Sequence, residues 1–156
     1  MAILKVREVN MIVEKPIYVK GREGRDFAWK SDHAYVKVSS EESGGRFSLI
    51  EDNLTVEFHL PRHLHRTHAE TFYVVSGRVE FQMDDRSIVM AAGDTLYIPA
   101  GQPHEVRCLE PAKMLTLFQP GGLEKLFDAY AAMTEAEMAD PEKLKAVDLA
   151  HDNVVL

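Results

Sequence analysis

Between Ala34 and Gln119 the chain is a succession of short β-type runs, each closed by turn-forming residues, and this cadence constrains the fold more than any other feature. The runs are "AYVKVSS", "RFSLIE", "LTVEFHL", "TFYVVS", "VEFQM", "SIVMA", "TLYIP", "HEVRC" and "KMLTLFQ". Gly44-Gly45, Asp52-Asn53, Gly77, Asp84-Asp85, Gly93-Asp94 and Glu110-Pro111 punctuate them. Glycine, proline, asparagine and aspartate break extended structure for separate local reasons, so their recurrence predicts chain reversals. Closely spaced reversals leave no room for crossover helices, which predicts an antiparallel sandwich or small barrel. In "LTVEFHL", Leu54, Val56, Phe58 and Leu60 alternate with polar residues, the period of a strand with one wetter face.

The texture changes after "QPGG". Leu123, Leu126, Phe127 and Tyr130 recur at helical spacing, and Thr134 with Glu137 three residues on has the form of a capping box. Asp140-Pro141 offers an N-cap and a first-turn proline for a further helix carrying Leu144 and Val147. At 156 residues the chain fits one domain. The expected division is an N-terminal arm with strands over 1–33, a barrel over 34–119, and a helical extension over 120–156 of the same domain. The extension is too short for its own core and is expected on the barrel's outer surface or against a second subunit.

Composition removes several function classes. No apolar run approaches the roughly 20 residues of a membrane helix, so no membrane partner is expected. The net charge of −7 is spread along the chain without a lysine or arginine cluster, which argues against nucleic acid. The first twenty residues interleave charge with apolar pairs, unlike a secretory signal, and a cytoplasmic location is expected. Cys108 is the single cysteine, so a bound metal would depend on histidine and carboxylate.

Those donors are concentrated. "HLPRHLHRTHAE", from His59 to Glu70, holds His59, His63, His65 and His68, four of the chain's seven histidines. His63 and His65 are two apart, so on a strand both imidazoles leave one face and can reach one ion. Glu70 follows after four residues, far enough for a turn to return its carboxylate. In "GDTLYIPAGQPH", Pro99-Ala-Gly101 makes a rigid turn that would deliver His104 as a fourth ligand. Nitrogen and oxygen donors of this kind suit one divalent transition metal: Fe, Mn, Ni, Cu or Zn.

These two stretches resemble the paired motifs of the cupin superfamily. "HLHRTHAETFYVVSG" has HxH, four residues, Glu, six residues, Gly, and "GDTLYIPAGQPHEVR" has Gly, five residues, PxG, two residues, His. The resemblance covers roughly Gly44 to Gln119 and implies an all-β double-stranded β-helix, the cupin or jelly-roll barrel, with a short helical C-terminal extension. It implies His63, His65, Glu70 and His104 as metal ligands and Gly77, Gly93 and Gly101 as turn glycines. The tail looks like the extension of single-domain, quercetin dioxygenase-like cupins, which are usually homodimers. "KPIYVK", as a half-buried edge strand, and the apolar side of "LEKLFDAY" are the expected contact surfaces. Two positions depart from the pattern: Glu57 stands where the family commonly has glycine, and Cys108 where it has asparagine.

Three histidines and one carboxylate around a six-coordinate ion leave about two positions for water or substrate. The first expectation is a dioxygenase that uses O2 on an enolic or aromatic small molecule, flavonol-, diketone- or polyketide-like. Glu70 would then be a ligand that can also take the substrate's hydroxyl proton, as the resemblance suggests. The alternatives are a non-redox metal-dependent isomerase, cyclase or lyase, and a small-molecule-binding cupin without catalysis. Phe58, Phe81, Leu96, Ile98 and Phe118 are candidate apolar lining, and Val106 and Cys108 should face inward with His104 if that strand alternates. His68 is read as exposed-loop decoration, or else a donor behind the ligands or a substitute ligand, His59 as a strand-face residue, and Cys108 as a small wall residue, while His33 and His151 carry no motif.

Overall fold

Two long strands organise the chain in the computed structural model, which describes residues 15–29 and 31–156. They are β5 (Ala69–Gln82) and β8 (His104–Gln119), antiparallel along almost their whole length. The other edge of β8 takes β3 (Ser48–Leu54) along its C-terminal half and β4 (His59–Leu64) along its N-terminal part. β2 (Asp32–Val38) and β1 (Arg25–Ala28) continue outward from β3, while β6 (Ser87–Ala91) and β7 (Thr95–Ile98) flank β5. Every ladder is antiparallel, and alternate residues of β8 from His104 to Phe118 are mostly buried, Val106 and Cys108 among them. The result is the all-β barrel expected from the strand cadence.

Several expected turns are strand interior instead. Gly77 lies within β5, at a run of register shifts where Pro111 crosses on β8. Glu110-Pro111 is the matching irregularity inside β8, so four expected strands are two long bent ones. Asp52-Asn53 does not reverse the chain: both belong to β3, where side-chain and backbone partners on neighbouring strands hold them. Conversely, "LTVEFHL" is not one strand. Leu54 ends β3, Phe58 N–H turns back to the Thr55 carbonyl at 3.0 Å, and β4 begins at His59. Val56 is exposed in that turn, so its place in the apolar alternation is accidental.

One apolar core lies between β5, β6 and β8, built on Val74, Val79, Phe81, Met90, Val106 and Met114. A second joins Phe27, Ala34, Val36, Ile50 and Phe118 to Leu123, with Trp29 and Phe127 packed against it. This second core brings the helices to the barrel's mouth. α1 (Glu124–Ala132) is anchored by the buried Glu124, whose carboxylate accepts the Ser40 N–H at 2.7 Å and the Gly122 N–H at 2.9 Å. α2 (Glu135–Met138) has the expected Thr134–Glu137 capping box, and α3 (Pro141–Ala150) starts on the Asp140 cap with its first-turn proline.

The extension differs from expectation in two ways. α1 and the residue before it face the barrel's interior cavity rather than its outer wall, with Leu123, Leu126, Phe127 and Tyr130 on that face. The chain also returns to the sheet as β9 (Val154–Val155), paired with β4. "KPIYVK" is no edge strand: residues 15–20 are without secondary structure, and Ile17 and Tyr18 are exposed. Among the described residues, no helix is long and apolar enough to cross a membrane.

Candidate metal centre

Strand register, rather than sequence proximity, assembles the four donors. His63 near the end of β4 pairs directly with His104 at the start of β8, and their rings lie 4.3 Å apart. His65 follows just beyond β4, where the Gly101 N–H donates to its carbonyl at 2.6 Å. This bond ties the Pro99–Gly101 turn to the histidine pair. Glu70 enters from β5, beside Phe118 of β8 and Ile98 of β7. One donor atom from each of His63, His65, Glu70 and His104 lies within 4.8 Å of the others, and all four residues are buried.

The imidazoles are oriented by the backbone behind them. Nδ1–H of His63 donates to the Pro61 carbonyl at 2.7 Å, that of His65 to Asp152 at 2.8 Å, and that of His104 to Gln102 at 3.1 Å. With each Nδ1 committed as donor, the neutral ring keeps its lone pair on Nε2. Oε2 of Glu70 and Nε2 of His104 lie 3.0 Å apart, yet neither is aligned in a hydrogen bond. Buried polar atoms without partners are costly, and here they point to one centre. The donor set therefore fits a divalent transition ion.

Burial and neighbouring charges act differently on each donor. Burial, aided by the neighbouring His104 ring, pushes His63 down to about 4, so it is neutral at ordinary pH. Burial would raise Glu70, but the His104 and His65 imidazoles outweigh it and hold the carboxyl at about 2. Burial likewise opposes a charged His65, and the adjacent Glu70 carboxylate reverses this and raises it. The carboxylate is ionised and ready to bind a cation.

The donors open into a cavity of about 450 Å³ lined by residues from both the barrel and the helices. Phe58 and Phe118 line it as expected, whereas Phe81 and Ile98 are buried in the apolar core and Leu96 packs against that core. Trp29 and Phe127 add an aromatic wall from elements outside the two motifs, with ring centroids 5.3 Å apart. Two inward carboxyls also escaped the sequence reading. Burial carries Asp32 up to about 8, with the Asp52 charge adding to the effect, and carries Asp52 up to about 7 despite a hydrogen bond from Thr116. No local motif marks them: Asp32 precedes the first β-type run, and Asp52 stands in a pair that has the composition of a turn.

The other singled-out residues sit around this centre. His68 is half-buried and donates through Nδ1 to Asp152 Oδ2 at 2.7 Å, so it supports the loop behind the ligands. His59 is exposed at the cavity rim and meets Glu105 at 2.9 Å. Burial pushes the Cys108 thiol up, and Sγ–H donates to the Glu110 carbonyl at 2.9 Å; it packs in the apolar core rather than lining the cavity wall as expected, and is inert there. His33 pairs with Asp26 at 2.8 Å and His151 with the Val147 carbonyl at 2.8 Å, both away from the donor cluster.

Comparison with known proteins places the chain. Residues 55–118 match the Cupin domain family. The chain is 27% identical over 93 residues to quercetin 2,3-dioxygenase of Bacillus subtilis, an alignment taking in 59% of this chain and 28% of that one. It is 32% identical over 79 residues to an uncharacterized protein of Methanocaldococcus jannaschii, covering 49% of this chain and 63% of the relative. The chain thus spans less than two thirds of each of these relatives. An RmlC-like cupin from Shewanella frigidimarina superposes with a TM-score of 0.58 at 17% identity, over 69% of this chain and 93% of that one.

Proposed function

We propose that this chain, which matches the Cupin domain family over residues 55–118, is a metal-dependent enzyme, an oxygenase acting on an enolic or aromatic small molecule. The observation that carries the reading is the buried His63–His65–Glu70–His104 cluster opening into a largely apolar cavity large enough for a small aromatic compound. These four residues would hold one divalent transition ion. When bound, the ion supplies Lewis acidity towards a chelating oxygen pair and, if redox-active, a path for electrons to O2. The partial match to a protein named quercetin 2,3-dioxygenase supports the same substrate class.

The residues of the chain have separable parts in this reading. The three Nδ1–carbonyl bonds keep the imidazoles in the metal-binding tautomer, and Glu70 contributes negative charge to the centre. A carboxyl held at about 2 is a weak base, which favours Glu70 as ligand over Glu70 as proton acceptor. Trp29, Phe58, Phe118 and Phe127 exclude water from the substrate and offer flat faces to it.

One observation favours a second reading, a non-redox isomerase, cyclase or lyase. Asp32 and Asp52 place proton-bearing carboxyls in the same cavity, as acid–base chemistry beside a Lewis acid requires. Elemental analysis of the purified protein, followed by oxygen uptake with flavonols, diketones and hydroxyaryl ketones, separates the two. Fe, Mn, Ni or Cu near one per chain, with uptake abolished by His104→Ala, supports the oxygenase. Zinc-supported turnover without oxygen supports the second reading, and no metal uptake overturns both.

A further inference from the structure

The carboxyls of Asp32 and Asp52 lie on adjacent strands and on one face. The β2–β3 register sets Asp32 opposite Leu54 and Ala34 opposite Asp52, so the two aspartates are diagonal neighbours. Both are buried and both line the cavity that the four metal donors open into. Their surroundings give little in return for burial. Thr116 Oγ1–H donates to Asp52 Oδ2 at 2.6 Å and the Asn53 N–H to Asp32 Oδ1 at 3.2 Å. Among the described residues, neither aspartate has an ion pair with a lysine or arginine. Lys37 and Lys113 are instead engaged by Glu51, at 3.6 and 3.2 Å.

Ala34, Ile50 and Leu54 on the same strands and Met114 on the adjacent β8 surround the pair, and apolar residues would fill these positions at no desolvation cost. Carboxyls kept at such a place weaken the fold, which points to a use outside folding. The same cavity holds the unbonded Glu70 Oε2 and His104 Nε2 of the metal centre, so a ligand held at that centre shares the space the aspartates line.

We propose that Asp52, with Asp32 beside it, is the second recognition point of the cavity and binds a hydroxyl or amine of a substrate whose chelating oxygens are held at the four-donor centre. This rests on the metal-centre reading and narrows its substrate class. The substrate carries an oxygen pair at one end and a neutral or cationic hydrogen-bond donor at the other. A carboxylate, sulfate or phosphate at the second end is disfavoured, because its charge would lose its hydration beside two acidic groups with no lysine or arginine among the described residues lining the cavity.

The test uses cobalt-loaded full-length protein and catechols substituted at the 4-position, in matched series of two or three tether lengths ending in methyl, hydroxyl, amine or carboxylate. Calorimetric titration should show, at one tether length, the hydroxyl or amine compound binding about tenfold more tightly than its methyl isostere, with the carboxylate weakest. In Asp52→Asn and Asp32→Asn that preference should fall to about twofold or less, with cobalt content at the wild-type level. Wild-type protein that takes up cobalt yet shows no donor preference at any length overturns this inference alone, as does an undiminished preference in both variants. Wild-type protein that takes up no cobalt overturns the metal-centre reading and this inference with it.

Discussion

The backbone carbonyl of Asp152 accepts the Nδ1–H of His65 at 2.8 Å, although 87 positions separate them in the chain. Asp152 also has a left-handed backbone, φ 61°, and its carboxylate accepts the backbone N–H groups of Arg66, Thr67 and His68. Burial would raise this carboxyl, but His68, Thr67 and Arg66 hold it well below the usual carboxylate range. A single residue outside both sequence motifs thus fixes the loop carrying His65 and the ring itself. Asp152→Ala should weaken metal binding about 10- to 100-fold, the usual range for residues that orient a ligand. Chelator competition measures this, and wild-type affinity in the variant would refute it.

Replacing the proposed ligands should separate them by role. His63→Ala, His65→Ala and His104→Ala should each take metal content from near one per chain to near zero, since no other described residue belongs to the cluster. Glu70→Gln keeps an oxygen donor and loses only charge, so it should bind more weakly than wild type and more tightly than the alanine variants. Elemental analysis after dialysis reads both. Stoichiometric metal retained in any histidine variant would remove that residue from the set.

The buried aspartates make the metal-free protein sensitive to alkali. Their carboxyls are raised to about 8 and about 7 in the folded chain, against 3.8 as the ordinary value. Between these limits the folded state binds more protons than the unfolded one, so their contribution is fully present below about pH 4 and is lost as pH rises towards 8. Asp52→Asn and Asp32→Asn each remove one residue's share of this loss. Urea unfolding of metal-free protein at pH 5 and pH 9 should show either variant gaining on wild type by roughly 2–5 kcal/mol over that interval. Equal pH dependence of variant and wild type would contradict the assignment.

Gly77 offers a stability test remote from chemistry. Its φ is +81°, and a Cβ there would lie 2.2 Å from the Pro111 carbonyl oxygen and 2.6 Å from Ala112 Cα. Backbone cannot give way as a flexible side chain does, so Gly77→Ala should destabilise by about 3 kcal/mol or more. Gly93 has a similar φ of +94° but nothing within 4 Å of a Cβ, so Gly93→Ala should cost about 1 kcal/mol. Chemical denaturation that shows no difference between the two would refute the crossing of β5 and β8 at this point.

Parts of the site were legible because they are local. The two-residue spacing of His63 and His65, the return to Glu70 and the turn before His104 each depend on a few neighbouring residues with characteristic backbone preferences. The same local reasoning misplaced Asp52-Asn53, because aspartate and asparagine favour turns only while nothing distant claims their polar groups. Here Thr116, 64 positions away, and Asp32 claim them, and the strand continues. Gly77 and Pro111 were misread for a related reason: each looks like a chain reversal alone, and together they form the irregularity that lets two long strands bend across one another.

Local patterns along the chain carry the antiparallel β character, the capped helices after Gly122, and the four donors with the spacings that let them meet. What stands around those donors is the work of long-range packing. It set Asp32 beside Asp52, placed Leu126, Phe127 and Tyr130 of α1 against the cavity, and brought Asp152 back to hold His65. Backbone preferences act over a few residues and leave a readable pattern, whereas partners across a barrel are chosen by strand register and burial, which no short window of sequence contains.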